Sequence, residues 1–197
     1  MPQNDGNGSL GGLVGALTAA LCSAPQGDDR PTKTAINRRN RPMAGEIDAR
    51  LAELGIDVPE AAAPVANYVG YVQTGNLVFV SGQVTVKDGE RHHVGKLGDA
   101  ISVEEGRAAA RLCAINVIAQ VKAACGGDLD RVQRIVKLTG FVNSTPDFTE
   151  QPQVVNGASD LMVEVFGDKG RHSRAAVSAG ALPLGVAVEV EAVVEIA

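Results

Sequence analysis

The sequence predicts one α/β domain behind an N-terminal tail, built as a mixed β-sheet with two helices packed on one face. Three observations carry that prediction. Ser102 and Glu105 have capping-box spacing ahead of an apolar stripe, Pro152 to Phe166 repeats the helical pattern, and Val186 to Ile196 alternates apolar residues with glutamates. The resulting order is strands, helix, strand, helix, strands. Such an order puts both helices on one side of the sheet and leaves the other side bare, so it predicts an oligomer.

Residues 1–42 are rich in Gly, Asn, Arg and small side chains and read as a flexible extension. The apolar run Leu10 to Ala24 is broken by three glycines and is too short to span a bilayer. Nothing basic precedes it, which argues against an export signal. Gly6, Gly8 and Gly11 have dinucleotide-fingerprint spacing but follow no strand, so the match is one of chance. Arg30, Lys33, Arg38, Arg39 and Arg41 read as a solvated linker. Met43 opens a more ordinary stretch and is a candidate functional start. Residues 43–63 predict a short amphipathic helix, Glu46 to Leu54, ended by Gly55 and followed by a linker.

Residues 64–197 form the main domain. Tyr68 to Gln73 and Leu77 to Gly82 flank Gly75-Asn76 as a hairpin. Val84 to Val86 and Arg91 to Val94 flank Lys87-Asp88-Gly89-Glu90 as a second one. From Ser102 a helix carries Ala110, Cys113, Ala114, Val117, Ile118, Val121 and Cys125 on one face until Gly126-Gly127 stops it. Ile135 to Val142 reads as a buried strand, and Pro152 to Phe166 as a helix with Val154, Ala158, Leu161 and Val165 inward.

Composition narrows the function. The 197 residues are 45% apolar and 21% charged, with no Trp and only four Phe and two Tyr, so Val, Leu, Ile and Ala must make the core. A net charge of −5 and few aromatics disfavour nucleic acid and anionic membranes as partners. Cys22, Cys113 and Cys125 are too few and too irregularly spaced for a disulfide framework or a zinc knuckle, which fits a reducing, cytoplasmic setting.

The sequence carries no P-loop, no Gly-x-Ser-x-Gly elbow and no histidine pair at metal-binding spacing, so no metal and no cofactor is expected. His92 and His93 are adjacent and would point to opposite faces of a strand. His172, Ser173 and Arg174 fall between the second helix and the final strands, where loops often carry function. Arg174 precedes the small apolar Ala175, Ala176 and Val177, so its charge enters a segment that otherwise looks like sheet. Its planar fork suits a carboxylate, and the alternatives are a salt bridge to Glu189 or Glu191, or simple exposure. Glu189 and Glu191 share a strand face with Cα atoms roughly 7 Å apart. They read either as a solvated face or as a carboxylate that positions and deprotonates a water.

Arg174-Ala-Ala-Val, Leu182-Pro183 and Val188-Glu189-Val190-Glu191-Ala192 resemble the C-terminal signature of the RidA/YjgF family, also called endoribonuclease L-PSP-like. Leu77 to Gln83, ending Ser-Gly-Gln, resembles that family's early strand. The resemblance implies a chorismate-mutase-like homotrimer with small-molecule clefts between subunits. In the family's deaminases the arginine matching Arg174 binds the carboxylate of a 2-imino acid or its enamine tautomer. The glutamate matching Glu189 positions water, and residues matching Tyr68, Ser81, Gly82 and Asn156 lie at or near the cleft. The chain departs from those deaminases in three places. Ala176 replaces a common cysteine, Asn67 a common proline, and the stretch Phe148 to Asn156 looks longer.

The resulting expectation is a hydrolytic deaminase that converts reactive imino acids into ammonia and 2-oxo acids. A non-catalytic trimer sensing a small carboxylate is the alternative, and an endoribonuclease ranks third.

Overall fold

The computed structural model describes residues 45–63 and 67–197. The expectations for residues 1–42, Met43 and Pro64 fall outside them. In chain order the elements are α1 (Glu46–Glu53), β1 (Tyr71–Thr74), β2 (Leu77–Val84), β3 (Val86–Lys87), β4 (Glu90–Arg91), α2 (Val103–Ala124), β5 (Val132–Asn143), α3 (Gln151–Phe166), β6 (Ser173–Ala179) and β7 (Val188–Ile196).

Five strands make one sheet in the order β1-β2-β7-β5-β6. Only β5 and β6 run parallel; the other neighbours are antiparallel. A parallel pair needs a crossover, and α3 supplies it between β5 and β6. α2 covers β2 and β7 while α3 reaches β5 and β6, so both helices lie on one face, as the sequence predicts.

α2 begins with the expected capping box. Ser102 Oγ accepts from the Glu105 N–H at 3.2 Å and a Glu105 carboxylate oxygen accepts from the Ser102 N–H at 2.8 Å. The Ser102 N–H and the Ser102 hydroxyl, which donates to the same carboxylate oxygen at 2.8 Å, hold the Glu105 carboxyl below its ordinary pKa. Cys113 and Cys125 belong to the buried stripe, and burial pushes the Cys113 thiol far up, so it packs as a small hydrophobe. Leu161 of α3 and Val188, Val190 and Val194 of β7 are wholly buried in the same core. Replacing such a Leu with Ala costs about 2–5 kcal/mol.

α1 is short, and an isolated helix of that length is unstable in water. It is held from outside. The Asp130 carboxylate accepts from the Glu46 and Ile47 N–H groups at 2.9 Å each, and Leu51 enters the main core.

Several expectations are revised. Val84 to Val94 gives strands of only two residues each side of the Asp88-Gly89 turn, whose φ values of 54° and 78° are those of a tight hairpin. His92 and His93 lie beyond β4, not in a strand, because His93 takes φ 50° and breaks the ladder. Arg174 lies in β6, in the segment that its small apolar neighbours mark as sheet-like, while His172 stays outside the strand. Within the stretch Phe148 to Asn156, the residues from Gln151 on are the opening of α3. Among the described residues no helix is long and apolar enough to cross a membrane.

Candidate functional site

The residues singled out from the sequence fall into two groups, one at each side of the sheet. The first lies where β2 runs past the end of β1. Register between β2 and β7 slips between Val80 and Gln83, which leaves Ser81 and Gly82 in a bulge. Bulges re-aim side chains, and here the slip opens a space against Glu189 at the start of β7. A Cβ on Gly82 would sit 1.8 Å from Glu189 Oε1, so only glycine lets the carboxylate occupy that place.

Gly82 and Glu189 line a cavity of about 600 Å³, together with Tyr68, Ala62, Asn116 and Leu184. Ser81 does not line it. Instead its hydroxyl donates to the Val69 carbonyl at 2.7 Å and its N–H to the Gly70 carbonyl at 3.0 Å, fixing the segment that carries Tyr68. Burial is the main cause that raises the Glu189 pKa above its ordinary value, and the Glu191 charge adds to it.

Sequence reading missed two amides here. Asn116 Nδ2 donates to the Val84 and Val86 carbonyls at 3.0 and 2.9 Å, and Gln120 Nε2 donates to the Ala62 carbonyl at 3.0 Å. They stand four apart on α2, and that spacing was the available signal. Leu184, also missed, holds φ 61° and places a 55% exposed side chain at the cavity wall.

The second group lies on the edge strand β6 and on α3. Arg174 Nη1 donates to Asn156 Oδ1 at 2.7 Å and to Ser159 Oγ at 3.1 Å. No carboxylate pairs with Arg174 among the described residues, so the salt bridge to Glu189 or Glu191 is not formed. The partners are neutral, so the guanidinium has no counter-charge among the described residues.

The two groups face opposite ways. Arg174 stands opposite Leu138 and Leu138 opposite Ala192, whereas Glu189 stands opposite Phe141. Their Cα atoms are therefore about 10 Å apart across the sheet and about 10 Å along it, or about 14 Å in all. Arg174 points to the helix face, where α3 meets it. Glu189 alternates with the buried Val188 and Val190 and points to the other. One small substrate cannot touch both side chains of a single chain.

A family model described as "YjgF/chorismate mutase-like, putative endoribonuclease" matches residues 48–196. Protein TCP17 of Trypanosoma cruzi is 54% identical over 154 residues, which span 78% of this chain and 96% of that protein. The crystal structure of the protein Atu1372 from Agrobacterium tumefaciens, of unknown function, is 48% identical with a TM-score of 0.73, covering 77% of this chain and 92% of that one. The E. coli TdcF crystal structure with bound serine is 26% identical with a TM-score of 0.51, covering 70% of this chain and 94% of that one. With the sheet order, the helices on one face and the motifs around Arg174 and Glu189 in agreement, the chain belongs to the YjgF/chorismate mutase-like family, the RidA/YjgF family that its motifs resemble.

Proposed function

We propose that the protein hydrolyses 2-imino acids and their enamine tautomers in sites shared between copies of a homotrimer. The observation that carries this reading is the division of chemistry just described. Arg174 has the fork for a carboxylate, Glu189 has the environment of a general base, and a single chain holds them apart on opposite faces.

Association resolves the separation. The sheet face away from the helices exposes Val72, Phe79 and Val177 at 55, 45 and 45%, and burying such side chains is worth about 1.5–3 kcal/mol each. A ring of three copies covers these faces and brings the β6 edge of one copy to the β2 bulge of the next.

In such a site Arg174 of one copy binds the substrate carboxylate through two charge-assisted hydrogen bonds. Glu189 of the next accepts a proton from water as the oxygen bonds to the imine carbon. The same proton passes to the imine nitrogen to give a carbinolamine; Glu189 then takes the hydroxyl proton and passes it to the amino nitrogen as the C–N bond breaks, so ammonia leaves and a 2-oxo acid remains. A raised Glu189 pKa suits both halves of that transfer, because the group must take a proton and then give it up.

The test is to generate 2-iminobutanoate enzymatically and follow its decay. Acceleration over buffer that is lost in Arg174→Ala supports the reading. No acceleration by the purified wild type would sink it.

One observation favours a second reading, a trimer that binds small carboxylates without turning them over. The structurally similar E. coli TdcF holds a bound serine. Thermal stabilisation by 2-oxo acids without imine decay would select it. Ribonuclease action is opposed by the net charge of −5 and would require cleavage that is lost on mutation of Glu189.

A further inference from the structure

We propose that Ser159 and His172 are positioning residues that set which edge of the Arg174 guanidinium meets the substrate carboxylate. The proposal rests on the reading of Arg174 as the carboxylate anchor, and it adds to the site two residues that the sequence did not single out for it.

The geometry begins at Gly170. His172 Nδ1 lies 2.6 Å from the Gly170 carbonyl oxygen, which can only accept, so Nδ1 carries the ring proton. In the neutral imidazole Nε2 is then an acceptor. Ser159 Oγ lies 3.0 Å from Nε2 and donates its hydroxyl proton to it. The lone pairs of that hydroxyl are left for Arg174 Nη1, 3.1 Å away. Donation thus runs one way, from Arg174 through Ser159 and His172 to a buried backbone carbonyl in the turn that ends α3. Hydrogen bonds aligned in this sense reinforce one another.

Asn156 completes the arrangement. It stands one helical turn before Ser159 on the same face of α3 and accepts from Nη1 at 2.7 Å. The two protons of Nη1 are therefore both engaged, one by Asn156 and one by Ser159. Among the described residues nothing engages Nε or Nη2. These two groups form the side edge of the guanidinium, and their parallel N–H bonds match the two oxygens of a carboxylate.

An exposed arginine on an edge strand would otherwise sample many rotamers and lose that freedom on binding. The chain to Gly170 removes the freedom in advance. Neither Ser159 nor His172 touches the substrate in this account.

The test uses the full chain with two readouts, steady-state kinetics on 2-iminobutanoate and calorimetric binding of 2-oxobutanoate, with circular dichroism melts to show that each variant folds. Ser159→Ala removes the link, His172→Phe keeps ring volume without an acceptor, and His172→Gln restores an acceptor oxygen. Ser159→Ala and His172→Phe are each expected to raise KM and Kd about fivefold, the effect of one hydrogen bond, with kcat within about twofold. His172→Gln should recover part of the affinity that His172→Phe loses. Should Ser159→Ala not fold, the two His172 variants carry the test alone. The proposal falls if Arg174→Ala raises KM and Kd while Ser159→Ala and His172→Phe match wild type, or if those variants lower kcat without changing KM. Should Arg174→Ala itself leave both constants unchanged, the anchor reading fails first and takes the proposal with it.

Discussion

The Arg174 side of the sheet and the Glu189 side are built by different physics. At β6 a positive charge sits on an exposed edge strand among neutral acceptors, with no carboxylate paired to it among the described residues. At the β2 bulge a carboxyl group is half withdrawn from water beside a second carboxylate, and its proton affinity rises. An exposed, orientated cation recognises an anion. A partly desolvated carboxylate exchanges a proton with a bound water. Under the proposed function, the difference teaches that recognition and proton transfer are divided between opposite faces of one sheet, so neither side serves alone.

The largest effects should separate the two ends kinetically. Glu189→Gln removes the base and is expected to lower kcat on 2-iminobutanoate about a hundredfold or more, with a much smaller change in KM. Arg174→Ala should instead raise KM about a hundredfold, the value of two charge-assisted hydrogen bonds, and raise the Kd of 2-oxobutanoate in parallel. If both variants lowered kcat alone, the division between the ends would be wrong. Gly82→Ala puts a Cβ where Glu189 Oε1 now lies and should cost about tenfold in kcat with binding of 2-oxobutanoate little altered.

The pH dependence follows from the direction of the Glu189 shift. Its folded pKa lies above the unfolded one, so its contribution to stability is complete below the ordinary carboxylate value and is lost as pH rises through the raised one. Glu189→Gln should therefore raise Tm at neutral pH, and the gain should shrink in acid. Wild-type turnover should fall on acidification at a pH above the ordinary carboxylate range. A gain in Tm that is equal at acid and neutral pH would contradict the assigned cause. The smallest effect belongs to a change away from both ends. Ser102→Ala breaks the cap of α2 and should cost about 1 kcal/mol in denaturant unfolding, with KM and kcat unchanged.

What the sequence revealed depended on how local the signal was. The helix after Ser102 announces itself because its cap and apolar stripe are written in consecutive residues, and β7 does so because its two faces meet different surroundings. β6 was legible only as a segment with sheet-like neighbours. Its Ser-Arg-Ala-Ala-Val-Ser-Ala run has no strong alternation, since an edge strand packs little on either face. At the site, residue type marked Arg174 and the pair Glu189 and Glu191 as candidates, and the family resemblance singled out Arg174 and Glu189. That they face apart was not legible, because the face of a strand residue depends on register across β5 and β7. The Ser159 to His172 contact stayed hidden for a related reason. It joins the middle of α3 to the turn beyond it, and no periodicity links those positions.

Mixed assembly tests most directly whether a site takes Arg174 from one copy and Glu189 from another. Co-expressing Arg174→Ala and Glu189→Gln chains in equal amounts gives rings in which about a quarter of the sites join an intact arginine to an intact glutamate. The account predicts that the mixed protein regains about a quarter of wild-type imine hydrolysis, although each variant alone is nearly inactive. Mixed rings no more active than the two separate variants would contradict it.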